Sequence, residues 1–462
     1  MKTNAGSKSL FLLLLTLALL GLACQTLGFG TPTATSALDP IPSKTPTPDA
    51  IQPDSTSTPG ATDIPPTPVV QTEPTPTIVP ISMEMQKQVF QDLWEVIRDE
   101  YLYADFNGLD WDATYQDYLQ RIEAGMDTAD FYYAMDEMVY SLGDEHSAFL
   151  SPQTVAADEQ EYASGHDYVG IGIWVQFDPE RDHALILLTF PGGPAEAAGI
   201  KSHDIILSVE GQPMTDEYGS TVDLLLGVEG TPVTLVVQSP GEEPREMTLN
   251  RGRITGTLPV PYQVVLTPAG KRVGYLVLPT FSDSSIADQV GAALSEMTVS
   301  EPLDGIIVDN RINSGGYDNI MASTLGYFTD GLVGYFTNRS GDQALRIPRR
   351  NVGGSADLPL VVLVGPDTAS FAEVFSGILK DQGRATLIGE TTDGNVEVLW
   401  GYNFDDGSRA WIAHDTFKPV NNPDADWERE GIVVDIEAPS YWGDYTTQTD
   451  PAVLAALDLF DQ

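Results

Sequence analysis

Cysteine is almost absent from this sequence: among 462 residues only Cys24 carries a thiol, which excludes an intrachain disulfide and a thiolate metal cluster. Basic residues are scarce as well. Lys and Arg number 23 against 67 Asp and Glu, for a formal net charge of -44. A surface of that sign repels phosphate backbones and anionic lipid, so it argues against nucleic-acid binding and against membrane adhesion through protein charge. Solubility is its ordinary consequence. Five scattered histidines without paired spacing give no metal-ligand pattern, so no catalytic metal is expected. Long apolar runs are missing too: the run Phe11 to Leu22 is too short for a comfortable membrane span.

What is present begins with a stretch that resembles an export signal. Lys2 and Lys8 precede the apolar run, which ends at Leu20-Gly21-Leu22-Ala23-Cys24. That ending is similar to a bacterial lipoprotein signal with Cys24 as the lipidated residue, although Gly21 stands where a larger aliphatic is usual. Ordinary secretion is the alternative. From Thr31 to Pro80 half of the residues are Pro or Thr and no apolar face repeats. Such a segment cannot bury a core and is expected to be a disordered, extended spacer.

Folded sequence begins near Met83. Phe90, Leu93, Trp94, Ile97 and Tyr101 fall on one helical stripe. Trp111, Tyr115, Tyr118, Leu119 and Ile122 make a second stripe, and Phe131, Met135, Met138 and Leu142 a third. The region ends at Gly143-Asp144-Glu145-His146-Ser147. From about Gly165 to Arg251 the pattern turns to strands: Val169 to Val175, Ala184 to Leu188, then Pro194-Ala195-Glu196-Ala197-Ala198-Gly199-Ile200, then Asp204 to Gly211. Strand, small-residue helix, strand and tight turn in that order resemble a bacterial PDZ domain. The resemblance implies that a peptide C-terminus adds as a strand while glycine-loop amides hold its carboxylate. That loop would be Tyr168, Val169, Gly170, Ile171 and Gly172.

Beyond Arg251, Val273 to Leu278, Gly305 to Asp309, Leu360 to Gly365 and Ala385 to Gly389 read as buried strands, with helical stretches after the second and third. This is an α/β pattern with at least partly parallel strands. In Val361-Val362-Leu363-Val364-Gly365-Pro366-Asp367-Thr368-Ala369-Ser370-Phe371-Ala372-Glu373 a strand enters a short turn and then a helix, with Ser370 at the junction. A hydroxyl there stands at the carboxyl end of a strand, beside helix N–H groups that favour negative charge. It could equally be a simple helix-capping serine.

That segment, followed by Asp381-Gln382-Gly383-Arg384-Ala385 and Gly389-Glu390-Thr391-Thr392-Asp393-Gly394, resembles the carboxyl-terminal processing (tail-specific) serine proteases. Val308-Asp309-Asn310-Arg311-Ile312-Asn313-Ser314-Gly315-Gly316 is similar to the family's Asp-x-Arg-x-Asn-x-Gly-Gly signature. The resemblance spans roughly Met83 to Pro439. It implies Ser370 as nucleophile, with oxyanion donors from the Phe371 amide and from the Gly315-Gly316 turn. Asp309, Arg311 and Asn313 would shape that turn.

One departure matters. Most tail-specific proteases place an activating lysine after the Gly of the Thr-x-Gly turn, and here Asn395 follows Gly394. A neutral amide cannot take the serine proton at useful rates. Lys380 lies ten residues into the same helix, about 15 Å away at 1.5 Å per residue, and no motif supports Lys418. The tricorn-like branch is similar at two other points, a histidine after the helical region (His146) and a glutamate before the last Gly-aliphatic strand (Glu428). That likeness implies a Ser370–His146–Glu428 relay. His414 is a competing base, and His166, His183 and His203 are expected at the surface.

The expected architecture is therefore a signal peptide over 1–24, a linker over 25–82, an N-terminal helical region over 83–164, an inserted PDZ-like β-rich domain over 165–252, and an α/β, ClpP/crotonase-like peptidase core over 253–462. The expected function is an exported serine endopeptidase without a cofactor, acting on polypeptides with accessible C-termini and anchored to the cell membrane through lipid. The alternative is a catalytically silent peptide-binding lipoprotein on the same scaffold, motivated by Asn395.

Overall fold

The computed structural model describes residues 79–144, 146–164, 167–215 and 224–462. The expected signal segment with Cys24, nearly all of the expected spacer, and His166 lie outside the described residues. Among the described residues no helix is long and apolar enough to cross a membrane.

Three capped helices open the fold. The Ser82 hydroxyl accepts the Met85 amide ahead of α1 (Met83–Glu100). Asp110 accepts from Ala113 before α2 (Trp111–Glu123), and Asp127 from Asp130 before α3 (Thr128–Tyr140). Each cap occupies an amide that the first helical turn leaves without a partner. Phe90, Leu93 and Ile97 of α1, Tyr118 and Ile122 of α2, and Phe131, Met135 and Met138 of α3 are buried together. Strand β1 (Ala148–Leu150) and helix α4 (Pro152–Ser164) follow.

The chain then builds β2 (Tyr168–Gly170), β3 (Ile173–Asp178), β4 (His183–Thr189), the short α5 (Pro194–Ala197), β5 (Ile205–Val209), β6 (Pro232–Gln238), β7 (Arg245–Asn250) and β8 (Gly252–Ile254). Strands β3 to β7 form an antiparallel sheet in chain order, with β3 at one edge. An edge strand keeps N–H and C=O groups that can pair with another chain. Strand β2 pairs with β8 instead.

The core follows as β9 (Tyr262–Leu266), β10 (Arg272–Val277), α6 (Ile286–Thr298), β11 (Gly305–Asp309), α7 (Asp318–Leu325), β12 (Gly331–Asn338), β13 (Gly341–Ile347), β14 (Leu360–Val364), α8 (Phe371–Asp381), β15 (Thr386–Gly389), β16 (Val398–Asn403), β17 (Arg409–Pro419), α9 (Trp427–Glu430), β18 (Ile436–Glu437) and α10 (Pro451–Phe460). The central sheet runs β18-β15-β14-β11-β10-β9, parallel except at β9. Every residue of β11 and β14 is buried, as expected of a parallel sheet covered on both faces. Alternation assigns the faces. Val308, Val362 and Val364 pack with side chains of α6, α7 and α8, whereas Ile307, Val361 and Leu363 pack with α10 and with Leu185 and Leu187 of β4.

A second sheet, β1-β17-β12-β13 with β16 also on β17, is not apparent from the sequence pattern. The N-terminal helices bury their stripe against it, through Leu399, Trp411 and Ile412. Helix α6 adds a helix after β10 that the sequence pattern leaves unmarked. Two histidines expected at the surface are buried instead: His183 is 5% and His203 6% exposed. The segment before α10 covers them, with the His183 Nε2 2.9 Å from the Tyr441 hydroxyl and the His203 ring stacked 4.0 Å from Trp442. A cover supplied from so far along the chain leaves no local trace in the sequence.

Candidate active site

Ser370 follows the turn out of β14 and caps α8. Its backbone is at φ 54° and ψ -129°, a conformation that costs a non-glycine residue on the order of 1–3 kcal/mol. The turn is over-determined by hydrogen bonds. The Thr368 hydroxyl donates to the Asn310 carbonyl and accepts the Gly365 amide, and the Ala369 amide donates to the Asn313 carbonyl. Asn313 thus ties the serine turn to the glycine turn. Its amide Oδ1 also accepts the Gly315 N–H at 2.9 Å. Behind it, Arg311 bridges Asp309 and Asp450, all three buried.

The two glycines permit close approach. A Cβ on Gly315 would lie 2.7 Å from the Ser370 Cβ, and one on Gly316 would lie 2.2 Å from the Phe281 carbonyl carbon. Of the three expected oxyanion residues, Gly315 is already spent on Asn313. The amides of Phe371 and Gly316 have no acceptor among the described residues. Two open amides beside a hydroxyl can hold a negative oxygen.

Glu373, in the first turn of α8, is fully buried. Its carboxylate accepts the Ser370 amide at 3.2 Å, the Gly394 and Asn395 amides at 2.8 Å each, and the Thr392 hydroxyl. Burial pushes this carboxyl up to about 7, against the pull of those donors. Asn395 therefore joins the serine helix through its backbone.

The next two amides turn to a second carboxylate. Val396 and Glu397 donate to the Glu428 Oε2 at 2.7 and 3.1 Å, and the Glu428 Oε1 lies 2.9 Å from the His146 Nε2. The imidazole is 9% exposed. Its backbone is fixed by Asp144, whose carboxylate accepts the His146 and Ser147 amides and the Ser147 hydroxyl. Ser147 in turn accepts the Ala413 amide of β17. Burial opposes a charge on His146, but the Glu428 hydrogen bond and the charges of Glu428, Glu397 and Asp144 outweigh it and hold the imidazole above the ordinary histidine range. The Nδ1 is buried without a hydrogen-bond partner.

The segment 394–397 thus clamps the serine helix and the histidine's carboxylate partner side by side. No hydrogen bond joins the Ser370 hydroxyl to the imidazole. Glu428 occupies Nε2, and Nδ1 is the open nitrogen. Glu397, which no sequence motif marks, completes the cluster. It is 4% exposed, the Tyr103 hydroxyl donates to its Oε1, and its Oε2 is buried without a partner. Burial first, then the Glu428 charge, pushes its carboxyl up to about 8.

The rival bases lie elsewhere. Both His414 ring nitrogens are engaged, with Asp415 at 2.8 Å and Glu100 at 3.2 Å. The Lys380 ammonium donates to the Val433 carbonyl and pairs with Asp435. In the region expected to bind peptide, Tyr168, Val169 and Gly170 belong to β2 rather than to a loop. Ile171 and Gly172 form the turn into β3, and their amides have no acceptor among the described residues. Gln176 of β3 donates to Asp367 at 3.0 Å, three residues ahead of Ser370.

Residues 272–438 match peptidase family S41, residues 84–140 the tricorn protease C1 domain, and residues 191–239 a PDZ domain. The carboxyl-terminal-processing protease of Synechocystis sp. is 31% identical over 383 residues, covering 81% of this chain and 87% of that protein. The chloroplastic C-terminal processing peptidase of Tetradesmus obliquus is 30% identical over 339 residues, covering 70% and 71%. The solved photosystem II D1 C-terminal processing protease superposes with a TM-score of 0.55 at 26% identity, over 80% of this chain and 97% of that one.

Proposed function

The chain belongs to the carboxyl-terminal-processing proteases, serine peptidases of family S41, and we propose that it is an exported endopeptidase in which Ser370, His146 and Glu428 form the catalytic relay. Glu428 accepts the Nε2 proton and fixes the tautomer, so the lone pair of Nδ1 is free to take the Ser370 proton. The Ser370 Oγ attacks a peptide carbonyl, and the Phe371 and Gly316 amides hold the oxyanion. Nδ1 returns its proton to the leaving amine, and water then hydrolyses the acyl-enzyme. Closure of the serine onto Nδ1 accompanies substrate binding, because catalytic hydrogen bonds tighten in the Michaelis complex. The PDZ-like part captures a polypeptide C-terminus on the open edge of β3, its carboxylate on the Ile171 and Gly172 amides. Outside the cytoplasm, Cys24 anchors the protein through lipid, with 25–82 as spacer.

The carrying observation is the His146–Glu428 pair with an open, buried Nδ1, tied to the serine helix by four consecutive amides. A fluorophosphonate probe tests it. Labelling of the purified protein is expected to vanish in Ser370→Ala and to fall by at least about 10²-fold in His146→Ala. Wild type that stays unlabelled while binding peptide would establish the silent scaffold that Asn395 suggests.

A further inference from the structure

The relay described above uses one oxygen of Glu428 and leaves Glu397 without a task. Glu397, Glu428 and His146 each present a ligand-type atom, and the three atoms lie within 4.8 Å of one another. Two carboxylates side by side in a buried site repel, and a bound divalent cation would remove that repulsion. We propose that His146, Glu397 and Glu428 form a binding site for a divalent cation of the zinc class, and that its occupancy silences the peptidase.

Three features favour a cation over a purely structural cluster. The Glu397 Oε2 is buried with no partner in a residue that is 4% exposed, and a buried acceptor left unmatched is costly. Outer partners already orient the ligands: the Tyr103 hydroxyl holds the Glu397 Oε1, and the Val396 and Glu397 amides hold the Glu428 Oε2. Partners of this kind fix ligand direction in metal sites. One pair already stands at ligand spacing. Two ligands each about 2.1 Å from zinc can stand 2.9 Å apart, the separation of the His146 Nε2 and the Glu428 Oε1.

One imidazole and two carboxylates suit zinc better than magnesium, which prefers all-oxygen sites with several waters. A fourth position is left for water. The cation takes the Nε2 lone pair in place of the imidazole–carboxylate hydrogen bond, and the imidazole proton moves from Nε2 to Nδ1, so Nδ1 has no lone pair left to take the Ser370 proton. The silencing, though not the binding, rests on the peptidase reading.

Binding is therefore measured first in full-length Ser370→Ala, stripped with a chelator and titrated with Zn2+ alone by calorimetry. One site per chain is expected, weakened at least about ten-fold when Glu397→Gln is added. Co2+ alone should give the visible absorption of a low-coordinate site in Ser370→Ala and lose it when His146→Gln is added, which carries the comparison should the Glu397 variant not fold. In wild type, fluorophosphonate labelling should be blocked by equimolar Zn2+ and restored by chelator, whereas Glu397→Gln should resist Zn2+. Absence of binding, or equal affinity with and without Glu397, overturns the site. Zinc binding by Ser370→Ala while chelated wild type remains unlabelled supports the site and sinks the peptidase reading instead.

Discussion

Glu373 is the residue on which the serine turn leans, because its carboxylate carries donors from Ser370, Thr392, Gly394 and Asn395. It ionises near 4.5 in an unfolded chain and near 7 in the folded one. Between those values the folded state holds a proton that the unfolded state has released, so stability falls as pH rises, by up to about 1.4 kcal/mol per pH unit. Glu373→Gln cannot titrate and lacks that slope. Denaturant unfolding of both proteins from about pH 4.5 to 7 checks the prediction. Parallel stability curves would show that the four donors keep the carboxylate ionised throughout. Ser370 itself exemplifies how little a residue's identity says alone: the same serine could merely cap a helix, and its φ of 54° together with two open amides supports the nucleophile proposed for it.

At the scale of elements, α9 rests on α8 at a glycine. A Cβ on Gly377 would lie 2.7 Å from the Trp427 ring and 2.9 Å from the Ile432 Cδ1. Gly377→Ala improves helix propensity by roughly 1 kcal/mol, but overpacking there costs roughly 1–3 kcal/mol. Relief of the clash moves Trp427 and, with it, Glu428 away from His146. The expected outcome is a modest fall in Tm and a loss of labelling by as much as about 10²-fold. Unchanged labelling with a lowered Tm would separate α9 from the chemistry.

For the whole molecule, the PDZ-type sheet is held on the central sheet by a late segment of chain. The Trp442 indole donates to the Ile186 carbonyl, its carbonyl lies 2.8 Å from the His203 Nδ1, and the two rings stack. Burial, chiefly, keeps the His203 imidazole below the ordinary histidine range. A base with a depressed folded pKa contributes stability that is present above its unfolded value, about 6.5, and is lost as pH falls. Acidification below about 6.5 is therefore expected to loosen this junction, with a sign opposite to that of Glu373. Unfolding of wild type against His203→Gln from neutral to mildly acidic pH measures it, and an equal loss in both would place the acid sensitivity elsewhere.

Sequence by itself determined the α/β class, because β10, β11, β14 and β15 are almost wholly buried and so read as nearly continuous apolar runs. It also determined the N-terminal helices, whose stripes repeat locally, and the likeness to a serine-peptidase family through the stretches around Gly315 and Ser370. Only the tertiary structure decided what those helices pack against, which histidines are buried, and that Glu397 joins His146 and Glu428. It also decided that Asn313 takes the Gly315 amide while Gly316 stays open. The physical reason is one of range. Periodicity and turns are written in neighbouring residues, whereas a proton relay depends on hydrogen-bond distances between segments that meet only when separate sheets close on each other.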